Sequence, residues 1–96
     1  MNKFISLLFL LLAPLFCLSQ NDILDSLYTQ LKSAPNDTSR INLLNEISNE
    51  NYIYGNIDQV IPFANRALNL ARKINYKKGI CYSYKNIGAA YRRYGE

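Results

Sequence analysis

A chain of 96 residues with a formal charge of +4 and 49% hydrophobic side chains has room for one small domain of ordinary soluble composition. It has no histidine, no glycine-rich phosphate loop and no Cys/His metal set. General-base catalysis by histidine, P-loop nucleotide chemistry and zinc binding therefore lack their components.

Met1-Asn2-Lys3 is a short positive start to the apolar run Phe4–Phe16, interrupted by Ser6 and Pro14. Cys17-Leu18-Ser19 sets small residues three and one positions before a cut after Ser19. That is the layout of a secretory signal peptide over residues 1–19. A membrane anchor competes with it, but a span needs about 20 apolar residues and this run is shorter. Export, whether to a periplasm, to the outside or to a membrane face, is the expected localisation. Cleavage removes Cys17 and leaves Cys81 as a single thiol, so no internal disulfide forms. Cys81 is expected as a small core residue on a helix.

Four helices follow. Leu24, Leu27, Tyr28 and Leu31 make one apolar stripe over residues 22–31, with Asn21 or Asp22 as the N-cap and Pro35 beyond the end. Asn36-Asp37-Thr38 is a joint in which Asp37 or Thr38 caps the next helix; the same residues fit a glycosylation sequon, but capping accounts for them without modification. The second helix is expected over about 39–54, with Ile41, Leu44 and Ile47 inward and Gly55 as its stop. The third places Val60, Ile61, Ala64, Ala67, Leu68, Ala71 and Ile74 on one face. Pro62 falls in its first turn if Asp58 is the N-cap, and bends it if the helix starts at Asn56. A polar turn over 75–79 leads to the fourth helix, roughly 78–94, with Ile80, Tyr84, Ile87, Gly88 and Tyr91 on its apolar side. Glycine in mid-helix costs about 1 kcal/mol relative to alanine, so Gly88 is expected to lie where another helix passes close by.

The second and fourth helices repeat one another. At an offset of 40 residues Leu44 meets Tyr84, Ile47 meets Ile87, Ser48 meets Gly88, and both segments run into Tyr-Gly. A period in that range points to stacked helix pairs, none of which buries its apolar face alone. Tyr84-x-x-Ile87-Gly88-x-x-Tyr91 resembles the first-helix signature of tetratricopeptide repeats, and Val60-x-x-x-Ala64-x-x-Ala67 resembles the second-helix signature. Gly55 and Gly95 stand where such repeats turn between their helices. The second helix departs from the pattern, with Ser48 where glycine is usual and Asn51 where tyrosine is usual.

The resemblance implies an all-α fold, a tetratricopeptide-like solenoid of antiparallel helix pairs. Residues 20–38 would be a capping helix and linker, 39–79 a first lengthened repeat, and 80–96 the first helix of a second. It also implies a protein- or peptide-binding module with no cofactor and no catalysis of its own. Arrays of lengthened repeats behind a leader resemble the exported sensory regions of bacterial signalling proteins. The alternative reading is therefore the front end of a sensor kinase or membrane-anchored regulator, whose output domain would lie beyond residue 96. Membrane contact is then expected only through the leader or a downstream segment.

In this family the first helix of each repeat lines the concave groove. Asn42, Asn45, Asn49 and Tyr52 form one polar stripe at spacings of three, four and three; Tyr82, Lys85, Ala89 and Arg92 correspond on the fourth helix. Asparagine amides suit the backbone of an extended peptide, and Lys85 and Arg92 suit a carboxylate. A solvated helix face accounts for the same stripe. From Arg66 onward there are eight basic residues and one acid, Glu96. Arg72-Lys73, Lys77-Lys78 and Arg92-Arg93 carry no nucleic-acid motif, and basic residues near a helix C-terminus are favourable through the dipole alone, so nucleic acid is not an expected partner. Glu46 and Glu50 sit one turn apart, a common exposed pairing, and no catalytic role is assigned to them.

Overall fold

The computed structural model describes residues 19–96; the leader expected over 1–19 lies outside the described residues except for Ser19. Four helices make up the described chain: α1 (Ser19–Ser33), α2 (Thr38–Ile53), α3 (Ile57–Lys73) and α4 (Lys77–Gly95). The described residues are thus all-helical in class, with no strand among them.

α1 begins earlier than its apolar stripe indicates, so Asn21 and Asp22 lie in its first turn instead of capping it. Acid there still complements the positive end of the helix. Leu27 and Leu31 are buried, Tyr28 packs beside them, and the Tyr28 and Phe63 rings lie 5.6 Å apart. Asp37 is the N-cap of α2: its Oδ1 accepts from the Ser39 N–H at 2.8 Å, which satisfies one orphan amide.

The α2–α3 and α3–α4 turns are closed by the same device. Asn56 N–H donates to the Asn51 carbonyl (2.8 Å) and Gly55 N–H to that of Tyr52 (3.1 Å), with Gly55 at φ 82°. After α3, Tyr76 N–H donates to the Ala71 carbonyl (2.8 Å) and Asn75 N–H to that of Arg72 (3.3 Å), with Asn75 at φ 60°. Both are Schellman closures, which need a left-handed residue just past the helix; asparagine is the residue that most nearly replaces glycine there. Gly95 behaves differently from Gly55. It ends α4 without a positive φ.

α3 starts at Ile57 with Asn56 as an N-cap that makes no side-chain cap bond, so Pro62 sits one turn inside the helix. It cannot donate to the carbonyl of Asp58, but Asp58 is exposed and water can satisfy that oxygen. Ile74, expected on the inner face, is instead the C-cap residue and 44% exposed. The helix has already ended there and the chain is turning outward.

The core lies between α1, α2 and α3: Leu27, Leu31, Ile41, Leu44, Ile47, Ala67 and Ala71 form one buried cluster. α2 and α3 are antiparallel, as the pairing of Asn51 with Asn56 and of Ser48 with Val60 shows. At the close crossing the Ser48 hydroxyl donates to the Val60 carbonyl at 2.7 Å. Val60, Ala64, Ala67 and Ala71 are all fully buried along this seam. Small side chains let the two backbones approach, and nearly all of α3's apolar stripe is used.

α4 runs antiparallel to α3, with Arg72 meeting Tyr84 and Asp58 meeting Tyr94, and therefore parallel to α2. Its inward face is not the expected one. Gly79, Ser83, Asn86 and Ala90 are buried, whereas Tyr84 is 49% and Tyr91 63% exposed, and Gly88 is exposed. Ile80 and Ile87 are half-buried at the edge between the two faces. Nothing stands within 4 Å of where a Gly88 Cβ would be, so no described helix passes close to it. The close approach is at Gly79, whose Cβ would stand 2.6 Å from Ile41 Cγ2. Cys81, expected in the core, is exposed for the same reason: the roll that brings 79, 83, 86 and 90 inward carries 81 outward.

Candidate functional site

The α2–α4 seam is held by amides. Asn45, buried, donates through Nδ2 to the Gly79 carbonyl (3.3 Å), and its Oδ1 lies 3.1 Å from the Ser83 hydroxyl. The single Ser83 proton also has the Gly79 carbonyl within reach at 2.8 Å. Asn86 Nδ2 donates to the Asn45 backbone carbonyl (3.2 Å) and lies 3.4 Å from its Oδ1. No fully buried side-chain polar atom at the seam is left without a partner, as burial requires. This network fixes the axial position of α4 along α2 and so sets which side chains face each other across the groove above it.

That groove is the candidate site. It contains a hollow of about 240 Å³ lined by Asn42, Asn45, Glu46, Lys78, Gly79 and Tyr82. Asn42 is exposed, and its Oδ1 accepts from the Tyr76 hydroxyl at 3.0 Å, which leaves its NH₂ unoccupied by any described residue. Asn49 and Tyr52 are half-buried further along α2. On the α4 wall Tyr82 and Ala89 are half-buried while Lys85 and Arg92 are exposed. The Lys85 ammonium lies 5.6 Å from the Tyr82 ring centroid, and the Arg93 guanidinium 5.9 Å from that of Tyr52. Each cation over a ring at an exposed site is worth about 0.5–1 kcal/mol, enough to bias the side chain toward the groove without sequestering its charge.

Of the stripe read from the sequence, Asn42, Asn49, Tyr52, Tyr82, Lys85 and Arg92 are accessible to different degrees. Asn45 sits beneath them, and its amide is committed to Gly79, Ser83 and Asn86. Three lining or rim residues were not assigned to the groove from the sequence. Glu46 lies one turn from Asn42 and shares its side of the helix; Lys78 belongs to the turn into α4; Arg93 reaches Tyr52 only because α4 is rolled as described. The first two carry a periodicity signal that was available. The third needs the packing.

The remaining groups are spread over the surface. Among the described residues no three His, Cys, Asp or Glu side chains gather as a metal set. Arg72 and Lys73 occupy the last turn of α3, and Arg92 and Arg93 that of α4, where the helix dipole favours positive charge. No described helix is long and apolar enough to cross a membrane. The chain fits no family model, and no curated protein or solved structure matches it.

Proposed function

We propose that this chain is an exported, non-catalytic helical-repeat module of tetratricopeptide type, which holds a protein or extended peptide in the groove between α2 and α4. On this reading α2 and α3 are one repeat of a solenoid, α4 opens the next, and α1 caps the front. The reading is supported by the pairing of α2 and α4, side by side in the same direction at the 40-residue offset of their sequence likeness. The observation that carries the binding site is the hollow between them, with Asn42 and Glu46 on one wall and Lys78 and Tyr82 on the other. An extended peptide needs backbone partners, which the Asn42 and Asn49 amides supply. Lys78, Lys85 and Arg92 outnumber Glu46 along this groove, so carboxylate-bearing peptides are the favoured class.

The test is anisotropy of labelled extended peptides, one acidic and one basic, titrated with the wild-type chain and with Lys85→Glu/Arg92→Glu. The acidic peptide is expected to bind the wild type, and the double variant to weaken it by at least about ten-fold, or 1.4 kcal/mol. Equal binding of both peptides, or no change in the variant, would remove the groove as the site.

A further inference from the structure

The side of the molecule away from α4 carries positive charge with nothing to answer it. α1 lies against α2 there and does not touch α4. Where α1 meets α2 and α3, two open hollows adjoin. One, of about 310 Å³, has Asn36, Arg40, Arg66, Asn69 and Lys73 around Leu44 and Leu70. The other, of about 330 Å³, is lined by Tyr28, Leu31 and Phe63, with Lys32 at its side. Arg40 and Arg66 line both, so the two guanidinium groups belong to the wall between them. Four cations thus border the pair of hollows, and no carboxylate lines either one.

Arg40 is the cation whose position is fixed. It is half-buried and donates from Nη2 to the Ala34 carbonyl at 2.5 Å, which ties it to the α1–α2 joint. Its Nε is covered and has no acceptor among the described residues. A guanidinium partly withdrawn from water and answered by one neutral carbonyl keeps its charge uncompensated. Asp37, the nearest acid in sequence, is occupied as the N-cap of α2. The Arg66 guanidinium lies 5.4 Å from the Phe63 ring centroid, and the Tyr28 ring packs on Phe63 from α1. Arginine and lysine are donors only, and the Asn36 and Asn69 amides add NH₂ groups, so the set suits an oxyanion.

We propose that these adjoining hollows form a site for a phosphate monoester, separate from the groove and using none of its cations. The phosphate occupies the polar hollow, between Arg40 and Arg66, with Lys73 and the Asn36 and Asn69 amides around it. The organic group lies against Tyr28, Leu31 and Phe63 in the other. A monoester fits this set better than a carboxylate does. Its charge of about −1.5 to −2 at neutral pH and its three acceptor oxygens give both arginine forks and Lys73 an acceptor each. The recognised chemistry is the same in a soluble monoester and in the headgroup of a monoester lipid.

The test has a soluble and a lipid arm. Phenyl phosphate, inorganic phosphate and benzoate are titrated into the chain by calorimetry at one ionic strength. Cosedimentation is measured with phosphatidylcholine vesicles containing either phosphatidic acid, a monoester, or phosphatidylglycerol, a diester. Arg40→Gln would also loosen the α1–α2 joint, so the site variant is Arg66→Gln/Lys73→Gln, in which both residues are exposed. Lys85→Gln/Arg92→Gln removes the same charge from the groove and serves as the control. Phenyl phosphate is expected to bind the wild type more tightly than inorganic phosphate and at least about ten-fold more tightly than benzoate. The site variant should lose at least about ten-fold of that affinity with its circular dichroism unchanged, and the control less than about two-fold. A preference for phosphatidic acid over phosphatidylglycerol, lost in the site variant alone, would support the site with a lipid as its source. Phenyl phosphate binding without that preference would support it with a soluble ligand. No saturable binding in either arm, benzoate binding as tight as phenyl phosphate, or equal losses in the two variants would each overturn the proposal.

Discussion

α2 and α4 carry corresponding faces forty residues apart, and among the described residues only the face of α2 has a helix on it. The covered face is built from Leu44, Ile47, Ser48 and Asn51: two aliphatic side chains and two polar ones, all buried. Its polar members are satisfied internally. Ser48 donates to the Val60 carbonyl, and Asn51 donates to the Ile47 carbonyl (2.9 Å), lies 3.4 Å from the Tyr28 hydroxyl, and accepts from Asn56. The uncovered face holds tyrosines and glycines and makes only edge contacts, through Arg72 and Ile87. Periodicity selects a face in both helices; whether it becomes core depends on what comes to lie against it.

The largest test of that contrast is energetic. Ile47→Ala deletes a fully buried side chain in the cluster shared with Leu44 and Ala67, and should cost about 2–5 kcal/mol in urea denaturation. The register-equivalent Ile87→Ala removes a half-buried one and should cost clearly less, near 1 kcal/mol, since the transfer term scales with area removed from water. Equal losses would mean that the two faces are packed alike, and the comparison would break.

Glycine provides the next test, and here the signs should differ. A Cβ on Gly79 meets Ile41 Cγ2 at 2.6 Å and Tyr76 Cδ2 at 2.7 Å. The tyrosine ring can swing, but Ile41 is fully buried and β-branched and has few alternatives. Gly79→Ala should therefore destabilise by about 1–3 kcal/mol. Gly88→Ala meets nothing and removes backbone freedom from the unfolded chain, so it should stabilise by about 0.4–1 kcal/mol. Thermal melts of the two variants, moving in opposite directions, would sharpen the assignment of the seam.

Those two glycines also mark where the sequence could and could not be read. Helix number and position were legible: stripes expected over about 39–54 and 78–94 correspond to α2 and α4 within a residue or so, because apolar spacing, Asp37 and Gly55 are strong local signals. The roll of α4 was not. Its most apolar arc is Ile80, Tyr84, Ile87 and Tyr91, yet the arc against the protein is Gly79, Ser83, Asn86 and Ala90. Hydropathy scores serine and asparagine as exposed, and only the pairing with Asn45 shows why they are inside. Cys81 and Gly88 were misplaced for the same cause. Asn75, taken as part of a polar turn, is the left-handed residue of a helix closure; the tolerance of asparagine for positive φ was the available clue. The groove stripe was legible as a stripe, whereas the withdrawal of Asn45 beneath it depends on Gly79 allowing α4 to come close.

Ser48→Ala probes the α2–α3 crossing itself. The methyl fits the same space, and the loss is one hydrogen bond to a carbonyl that still serves α3, so about 0.5–1.5 kcal/mol is expected from denaturant midpoints. A larger loss would mean that the hydroxyl holds the crossing geometry as well as satisfying it.

The smallest effect lies at the far end of α4 and is read through pH. The hydrogen bond that Tyr94 donates to the Asp58 carboxylate holds its phenol above the ordinary range near 10; slight desolvation and the Asp58 charge act in the same direction. A folded-state pKa above the unfolded one means that the protonated phenol is favoured in the fold. The associated stability is complete below pH 10 and is lost as pH climbs through the raised value. Tyr94→Phe removes both the bond and the titration, so the wild-type advantage over this variant should be flat at neutral pH and shrink as pH rises through and above the ordinary phenol range. Because the ring is open to water, the advantage should also be small at any pH and weaken with salt. If the difference were instead constant through the alkaline range, Tyr94 would not be bonded to Asp58 in solution. The clasp between the end of α4 and the start of α3 would then be absent, and the uncovered face of α4 would be freer to move than its covered counterpart on α2.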